Sequence, residues 1–389
     1  PGRRSHRNSV APRPIPPLPH IIMKIGIIGL GRRMSSILSI LQKCEPGLEV
    51  CGLVDLNPDA ARKSLSEQAG KNTTVYGSVA EMVAKSRPDA LAIGTRCDSH
   101  ARFAIEASAF GIPIFLEKPV ATSMAQAQEL EEAFQKSGCP VLVSFPLRAS
   151  ALCRRAKQIL DGGAAGRIEH ILAVNYVTYG SVYFESWYRD YSVTQGLFLQ
   201  KATHDFDYLA DLSGAPIIRV AATMSRGRVY RESGKNAPED SADALYFEGI
   251  GTPESGMNED SSNALLEFAN GVKAVYTQVF YSKRLARRGA AVSGLEGTVE
   301  FDWYQGRITA IRHRQPFTEV TSVDESENHF GGDLELANNF VSMVRHGAPS
   351  LAPLSTGLAS VYACLAARES AETGRFVDVL QTRLQPPRR

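Results

Sequence analysis

At 389 residues the chain is too long for one small core and suits two domains, and its 43% hydrophobic and 22% charged residues are those of an ordinary globular protein. A formal net charge of +2 sets up no strong field, which argues against nucleic acid or an anionic membrane as partner. No apolar run approaches the roughly 20 residues of a membrane span. The cysteines (Cys44, Cys51, Cys97, Cys139, Cys153 and Cys364) form no CxxC pair and no metal-spaced cluster with histidine, so a reduced, cytoplasmic chain without a metal is expected.

Residues 1–22 carry Pro12, Pro14, Pro16, Pro17 and Pro19 beside Arg3, Arg4, Arg7 and Arg13, and are expected to be a disordered tail. No apolar stretch follows the Arg3-Arg4 pair, so a twin-arginine export signal is set aside. From Met23 short apolar runs alternate with amphipathic stretches, which is the pattern of βαβ units. Strands are predicted at 24–28, 49–54, 75–76, 90–94, 113–116 and 140–145. Helices are predicted at 34–43, from Asn57-Pro58 onward, after Ser78, at 99–110 and at 122–136. Pro58 suits a first helical turn, and Ser78 with Glu81 has capping-box spacing.

After Arg148 the pattern changes. A helix at 151–161 leads into strands at 168–179, 217–224, 264–268, 272–280, 290–293 and 298–303, joined by turns, so a mainly antiparallel sheet is expected. Asn270-Gly271 is a type I′ hairpin signal. Residues 228–263 read as a long polar loop, and helices at 333–346 and 356–373 close the chain. The expected organisation is an α/β Rossmann domain with a parallel sheet over 23–148, then an α+β domain with an open-faced sheet over 149–389 for substrate binding and oligomerisation.

Between the first strand and first helix stands Gly29-Leu30-Gly31-Arg32-Arg33-Met34. Gly29 permits a tight turn, Gly31 lets the backbone approach a pyrophosphate, and the helix N-terminus offers N–H groups to the phosphates. Met34 replaces the third glycine of the fingerprint, which predicts looser helix–strand packing. Asp55 ends the second strand, where a carboxylate accepts ribose hydroxyls and repels a 2′-phosphate, so NAD is the expected cofactor.

Farther on stand Gly94-Thr95, Glu117-Lys118-Pro119 and His204-Asp205-Phe206-Asp207. In this order the motifs resemble the Gfo/Idh/MocA oxidoreductases, a family similar to glucose–fructose oxidoreductase and inositol dehydrogenase, from Met23 to about Val377. The resemblance implies that Lys118 lies beside the nicotinamide and contacts the reacting hydroxyl, before a Pro119 whose peptide bond is often cis. It places Glu117, Thr95 and His100 at the cofactor and Arg148 at the domain junction, as a substrate contact. It also implies an aspartate four residues before His204, where this chain has Gln200, so the usual Asp–His relay is replaced, with Lys201 offering a polar contact.

If 200–209 is helical, Lys201, His204 and Asp205 share one face and Asp207 points elsewhere. His204 is read as an acid/base near its working pH. The paired ammonium groups of Lys118 and Lys201 would lower each other's pKa. Tyr179, Tyr183, Trp187, Tyr188, Arg189 and Tyr191 offer aromatic faces and polar groups suited to a sugar, or else a packing or oligomer contact. His329 is read as reaching the substrate, and Asp333 as a helix cap.

By the resemblance the chain is expected to move hydride from a carbinol carbon of a sugar, sugar derivative or cyclitol to NAD. His204 is the expected proton acceptor, or else Lys118 with His204 aligning the substrate. The alternative is an NAD-retaining glycoside hydrolase that oxidises C3, eliminates, adds water and re-reduces. A non-catalytic regulator would lack Lys118 or His204. A homodimer or homotetramer through the second sheet is expected.

Overall fold

The computed structural model describes residues 22–65, 72–184, 186–230, 258–324 and 329–384. The expected tail, apart from Ile22, and residues 231–257 of the expected loop lie outside them.

The first sheet comprises β1 (Lys24–Ile28), β2 (Glu49–Val54), β3 (Thr74–Val75), β4 (Ala90–Ile93), β5 (Ile114–Leu116) and β6 (Val141–Val143) in the order β3-β2-β1-β4-β5-β6, all parallel. Strands covered on both faces must be apolar throughout, and β4 and β5 are buried at every position. The covering helices are α1 (Arg32–Cys44), α2 (Pro58–Lys63), α3 (Val79–Ser86), α4 (His100–Ser108) and α5 (Met124–Ser137). Caps read from the sequence form: Asn57 accepts from the Ala60 N–H and Ser78 from the Glu81 N–H, while Glu81 reaches back to the Gly77 N–H. The strand order reverses between β1 and β4, so a crevice opens at their C-terminal ends, where Gly29 and Thr95 lie.

Helix α6 (Ala151–Asp161) leads into the second sheet, built from β7 (Ile168–Tyr176), β8 (Ile217–Arg226), β9 (Glu259–Phe268), β10 (Lys273–Val279), β11 (Arg287–Gly294), β12 (Gly297–Asp302), β13 (Arg307–Arg312), β14 (Thr318–Ser322) and β15 (Val377–Asp378). Its order is β14-β13-β12-β11-β7-β10-β9-β8-β15, and only β7 and β10 pair in parallel. The last three helices are α7 (Thr203–Ser213), α8 (Gly332–His346) and α9 (Leu354–Thr373). Helix α8 packs on α1, fastened by Arg345 to Glu45 at 3.0 Å, while α9 touches α5, β6, α7 and β8. The chain's last helices thus bind the two sheets together.

Three departures from the sequence reading have physical causes. Strand β7 ends at Tyr176 rather than at 179, because Gly180 is pressed so close to the Phe280 carbonyl that a Cβ there would stand 1.8 Å from its oxygen. The ladder stops and a 3₁₀ turn takes over, which frees Tyr179 from the sheet. Residues 259–263 are strand, not loop. They read as polar because the carboxylates are turned inward onto main-chain donors: Glu259 accepts from Leu197 N at 2.5 Å and Asp260 from Arg228 N at 2.7 Å. Strands β13, β14 and β15 were not predicted; β14 is largely exposed and too polar to carry an apolar signal.

Candidate active site

Gly29 takes a positive φ of 79°, and a Cβ there would lie 2.7 Å from the Thr95 nitrogen, so only glycine fits between β1 and the loop after β4. Gly31 has nothing within 4 Å of where a Cβ would be, and it opens α1 with no side-chain cap and no acidic residue in the first turn. An open cradle beside free helix N–H groups suits a pyrophosphate. Asp55 accepts from the Leu30 N–H at 2.8 Å and the Asn57 N–H at 2.7 Å, which holds the carboxylate against the glycine loop. The geometry of Gly29, Leu30, Gly31 and Asp55 is therefore compatible with a dinucleotide, while Arg32 makes no contact that bears on it among the described residues.

Met34 does not loosen the packing, as the sequence reading had predicted. It is fully buried, and Gly94 makes room for it: a Cβ on Gly94 would stand 2.7 Å from Met34 Cβ. The small residue needed between α1 and the sheet sits on the strand side. Arg33 turns away from the phosphate cradle. It donates to Asp333 at 2.6 and 2.7 Å, to Glu117 at 2.9 Å and to Ser144 at 3.1 Å, tying the glycine loop to the Lys118 segment and to α8. Glu117 is accordingly occupied by Arg33. Asp333 is not the cap that the sequence reading expected, since Gly331 takes the N-cap position of α8 and no side chain caps it; burial alone would raise the Asp333 carboxyl, but hydrogen bonds from Arg33 and His329 hold it down to about 2.

Thr95 lies in the loop after β4, where it accepts from Ser99 Oγ at 2.8 Å. His100 is buried, its ring nitrogens 2.8 Å from the Pro119 carbonyl and 3.0 Å from the Thr95 carbonyl, and burial lowers its pKa. It acts as a clip between the two cofactor-side loops. The Lys118–Pro119 peptide is cis.

Lys118 and residue 200 meet, through the backbone. Lys118 Nζ donates to the Gln200 carbonyl at 2.8 Å, while the Gln200 amide turns away to the Thr194 carbonyl at 2.8 Å and to Cys97 Sγ. Burial brings Lys118 down to about 8, with Glu117 opposing and Lys201 assisting. Residues 198–202 form a π-helical turn that runs into α7, a kind of irregularity frequent at functional sites. Lys201 Nζ lies 2.9 Å from the Tyr179 hydroxyl.

His204 is 6% exposed, with its ring 5.9 Å from Phe145 and 6.3 Å from His329, and its Nδ1 has no hydrogen-bond partner among the described residues. Burial first, then Lys118, Arg288, His329 and Lys201, push its pKa well below the usual histidine value. It stands neutral and not poised near pH 7, contrary to the sequence reading. Asp205 goes one layer deeper, accepting from Asn175 at 2.8 Å, Tyr276 at 2.8 Å and Arg288 at 2.9 Å.

Arg148 is committed to Asp207 at 2.7 Å, with Asp211 at 3.9 Å. Trp187 stacks on Tyr188 at 3.9 Å under Arg96, and Arg189 is exposed in the same 3₁₀ turn. Tyr183 is buried in a satellite cluster with Val177, Phe184, Leu197, Tyr230 and Phe280, with Tyr188 packed against it, so this part of the aromatic run packs. His329 takes a positive φ of 50° and lies 2.8 Å from Asp333 through Nδ1. Sequence reasoning missed the hub role of Arg33 and the buried Arg288; a charged residue beginning the small-residue run Gly289-Ala290-Ala291 was the available signal for the latter.

A Rossmann sheet with an open cradle beside free helix N–H groups is the architecture of a dinucleotide-binding oxidoreductase. Residues 23–145 match the oxidoreductase family with an NAD-binding Rossmann fold and residues 153–300 the GFO/IDH/MocA C-terminal domain. The chain belongs to the Gfo/Idh/MocA family. It is 24% identical over 368 residues to myo-inositol 2-dehydrogenase of Thermotoga maritima, covering 91% of this chain and 98% of that one. It is 30% identical over 186 residues to the Bacillus subtilis protein YteT, a match that spans 46% of this chain and 44% of YteT. Among solved structures it resembles levoglucosan dehydrogenase in complex with NADH and levoglucosan (TM-score 0.76, 18% identity, 92% of this chain and 100% of that one). An NAD-binding oxidoreductase from Klebsiella pneumoniae superposes equally well (TM-score 0.76, 18% identity, 92% and 99% covered). These structural likenesses concern the fold. No helix among the described residues is long and apolar enough to cross a membrane.

Proposed function

We propose that the protein is an NAD-dependent dehydrogenase that oxidises a secondary hydroxyl of a sugar, sugar derivative or cyclitol. The observation that carries this reading is His204. A buried imidazole whose Nδ1 has no partner costs stability unless a ligand satisfies it. The names of the Thermotoga and levoglucosan enzymes, both acting on polyhydroxylated rings, favour the same substrate class.

In this reading residues 23–148 bind the cofactor and residues 149–389 the substrate. Gly31 and the first turn of α1 hold the pyrophosphate and Asp55 the adenosine ribose, which favours NAD over NADP. A bound nicotinamide supplies the hydride acceptor. Lys118 keeps one ammonium hydrogen on the Gln200 carbonyl and turns its others to the reacting hydroxyl, while neutral His204 orients that hydroxyl from the other side. Trp187 and Tyr179 offer ring faces to the sugar. The open face of the second sheet, where Leu172, Val275 and Leu265 stand in one row with Leu172 and Leu265 about half exposed, suits a homodimer or homotetramer contact.

The test incubates the full chain with NAD⁺, or NADP⁺, and a panel of myo-inositol, levoglucosan and aldohexoses. The expected result is NADH formation with at least one of them, preferring NAD⁺, and its loss in Lys118→Ala. Release of an aglycone from aryl glycosides without net NADH would instead establish the NAD-retaining hydrolase.

A further inference from the structure

Lys201 is buried, yet among the described residues no carboxylate lies within ion-pairing distance of its ammonium. Its hydrogen-bond partner is the phenol oxygen of Tyr179 at 2.9 Å, and the ammonium lies 5.0 Å from that ring's centre and 5.6 Å from the ring of Tyr183. Burying an ammonium without a counter-charge is costly; burial lowers the Lys201 pKa, and a negative Tyr179 oxygen opposes that shift, so the pairing favours an anion at that oxygen whenever the ammonium is charged. Tyr179 also meets the buried Tyr183 phenol, and its other side is open to solvent. It lies beyond the end of β7 and is 49% exposed, whereas His204 is 6% exposed.

We propose that Tyr179, held by Lys201, is the catalytic base that removes the proton from the reacting hydroxyl and passes it to solvent, with Lys201 as its positioning residue. The inference rests on the dehydrogenase reading above. The carbinol O–H bond breaks and its proton goes to the Tyr179 phenolate. The electron pair left on oxygen closes the C=O bond, while the C–H pair departs as hydride to the oxidised nicotinamide dinucleotide. The phenol then returns its proton to water from its exposed side, which restores the phenolate. Reduction of a ketone runs the same path backwards, with the phenol as acid.

The surroundings suit this task. Facing Tyr179 are Lys201 from the π-helical turn, Lys118 from the loop after β5, Arg288 from β11, Tyr183 and Tyr188 from the 3₁₀ turns, and Tyr304 beyond β12. The Lys201 ammonium, acting against burial and helped by Arg288 and Lys118, draws the Tyr179 phenol down to about 8. Tyr183, Tyr188 and Tyr304 are all pushed upward, chiefly by burial, and stay protonated. His204 is the weaker acceptor, because the same cations that assist Tyr179 depress it.

The experiment titrates the full-length protein by ultraviolet difference absorbance of tyrosinate, which needs no substrate, and compares Tyr179→Phe and Lys201→Met. One phenol is expected to ionise near pH 8, ahead of the rest. It should vanish in Tyr179→Phe and return to about 10 in Lys201→Met. With a polyol that yields NADH, kcat should fall about 100-fold or more in Tyr179→Phe. In Lys201→Met the pH of half-maximal kcat should rise. An early-ionising phenol that survives Tyr179→Phe, or a Tyr179→Phe enzyme with normal turnover and pH profile, overturns the proposal. Failure of every polyol to yield NADH overturns the dehydrogenase reading, and the proposal with it, whatever the titration shows.

Discussion

Met34 and Gly94 share one packing space: the methionine side chain fills the volume that a β-carbon on the glycine would need, with 2.7 Å between the two positions. The pair solves, from the opposite side, the problem that a third glycine on α1 would solve. Helix α1 must lie close to the sheet if its N-terminus is to stand over the crevice, and close approach requires a small residue on one of the two partners.

Gly94→Ala is therefore expected to destabilise the fold by about 1–3 kcal/mol through overpacking. Met34→Ala alone should also destabilise, by leaving a cavity. The double variant should lose somewhat less than the two single losses added, because Met34→Ala removes the Cγ and Cε that crowd a β-carbon at position 94 and leaves only the Cβ contact. Urea unfolding midpoints at constant m measure all three. Additive losses would mean that the two side chains do not share the space.

Much of this could be read from residues in order. The parallel sheet was legible because its strands are short apolar runs set between capped helices, and Asn57 and Ser78 cap as their types demand. The cofactor loop was legible because Gly29 is a conformational necessity and Gly31, two residues on, leaves the helix start open. The substrate side was less so. The family's acidic position is filled by Gln200, but what reaches Lys118 is the main-chain carbonyl of that residue, and a backbone contact leaves no mark on residue type. Arg33 belongs to the stretch expected at the cofactor because it follows the glycines. Its partners, Glu117 and Asp333, lie far away in sequence, and nothing local announces them. The first half of strand β9 was hidden because its inward-facing carboxylates bond main-chain N–H groups, reversing the alternation of polar and apolar positions from which strands are read.

The Arg33–Asp333 pair has a pH signature. The Asp333 carboxyl sits at about 2 in the folded chain against 3.8 ordinarily. Stability from this carboxylate is therefore complete above about pH 4 and drains away as pH falls toward 2. The gap corresponds to about 2 kcal/mol. Asp333→Asn should cost about that much at pH 7 and progressively less in acid, so that wild type and variant converge near pH 2. Chemical denaturation across that range is the measurement, and a cost that does not change with pH would deny the pair its role. Because Arg33 also holds Glu117, the variant should lower kcat as well, by loosening the segment that carries Lys118.

His204 offers the sharpest separation of stability from function. Its ring lies between Phe145 and His329 with Nδ1 unpaired, and burial holds its pKa below the ordinary histidine value. A histidine depressed in the folded state weakens that state as pH falls through the unfolded value of about 6.5, since the unfolded chain takes up the proton more readily. Phenylalanine fills a similar volume and brings no unpaired nitrogen. His204→Phe should thus unfold at a higher temperature than the parent, by the equivalent of about 1–2 kcal/mol at neutral pH, and by more at pH 5. On the proposed reading, in which His204 meets the substrate and not the cofactor, the same variant should keep NADH binding yet lose turnover with any polyol the parent oxidises. Thermal melts at the two pH values, NADH titration and initial rates together decide it. A destabilised His204→Phe chain would show that the imidazole is a structural residue, and the cleft would then need another group to receive the substrate hydroxyl.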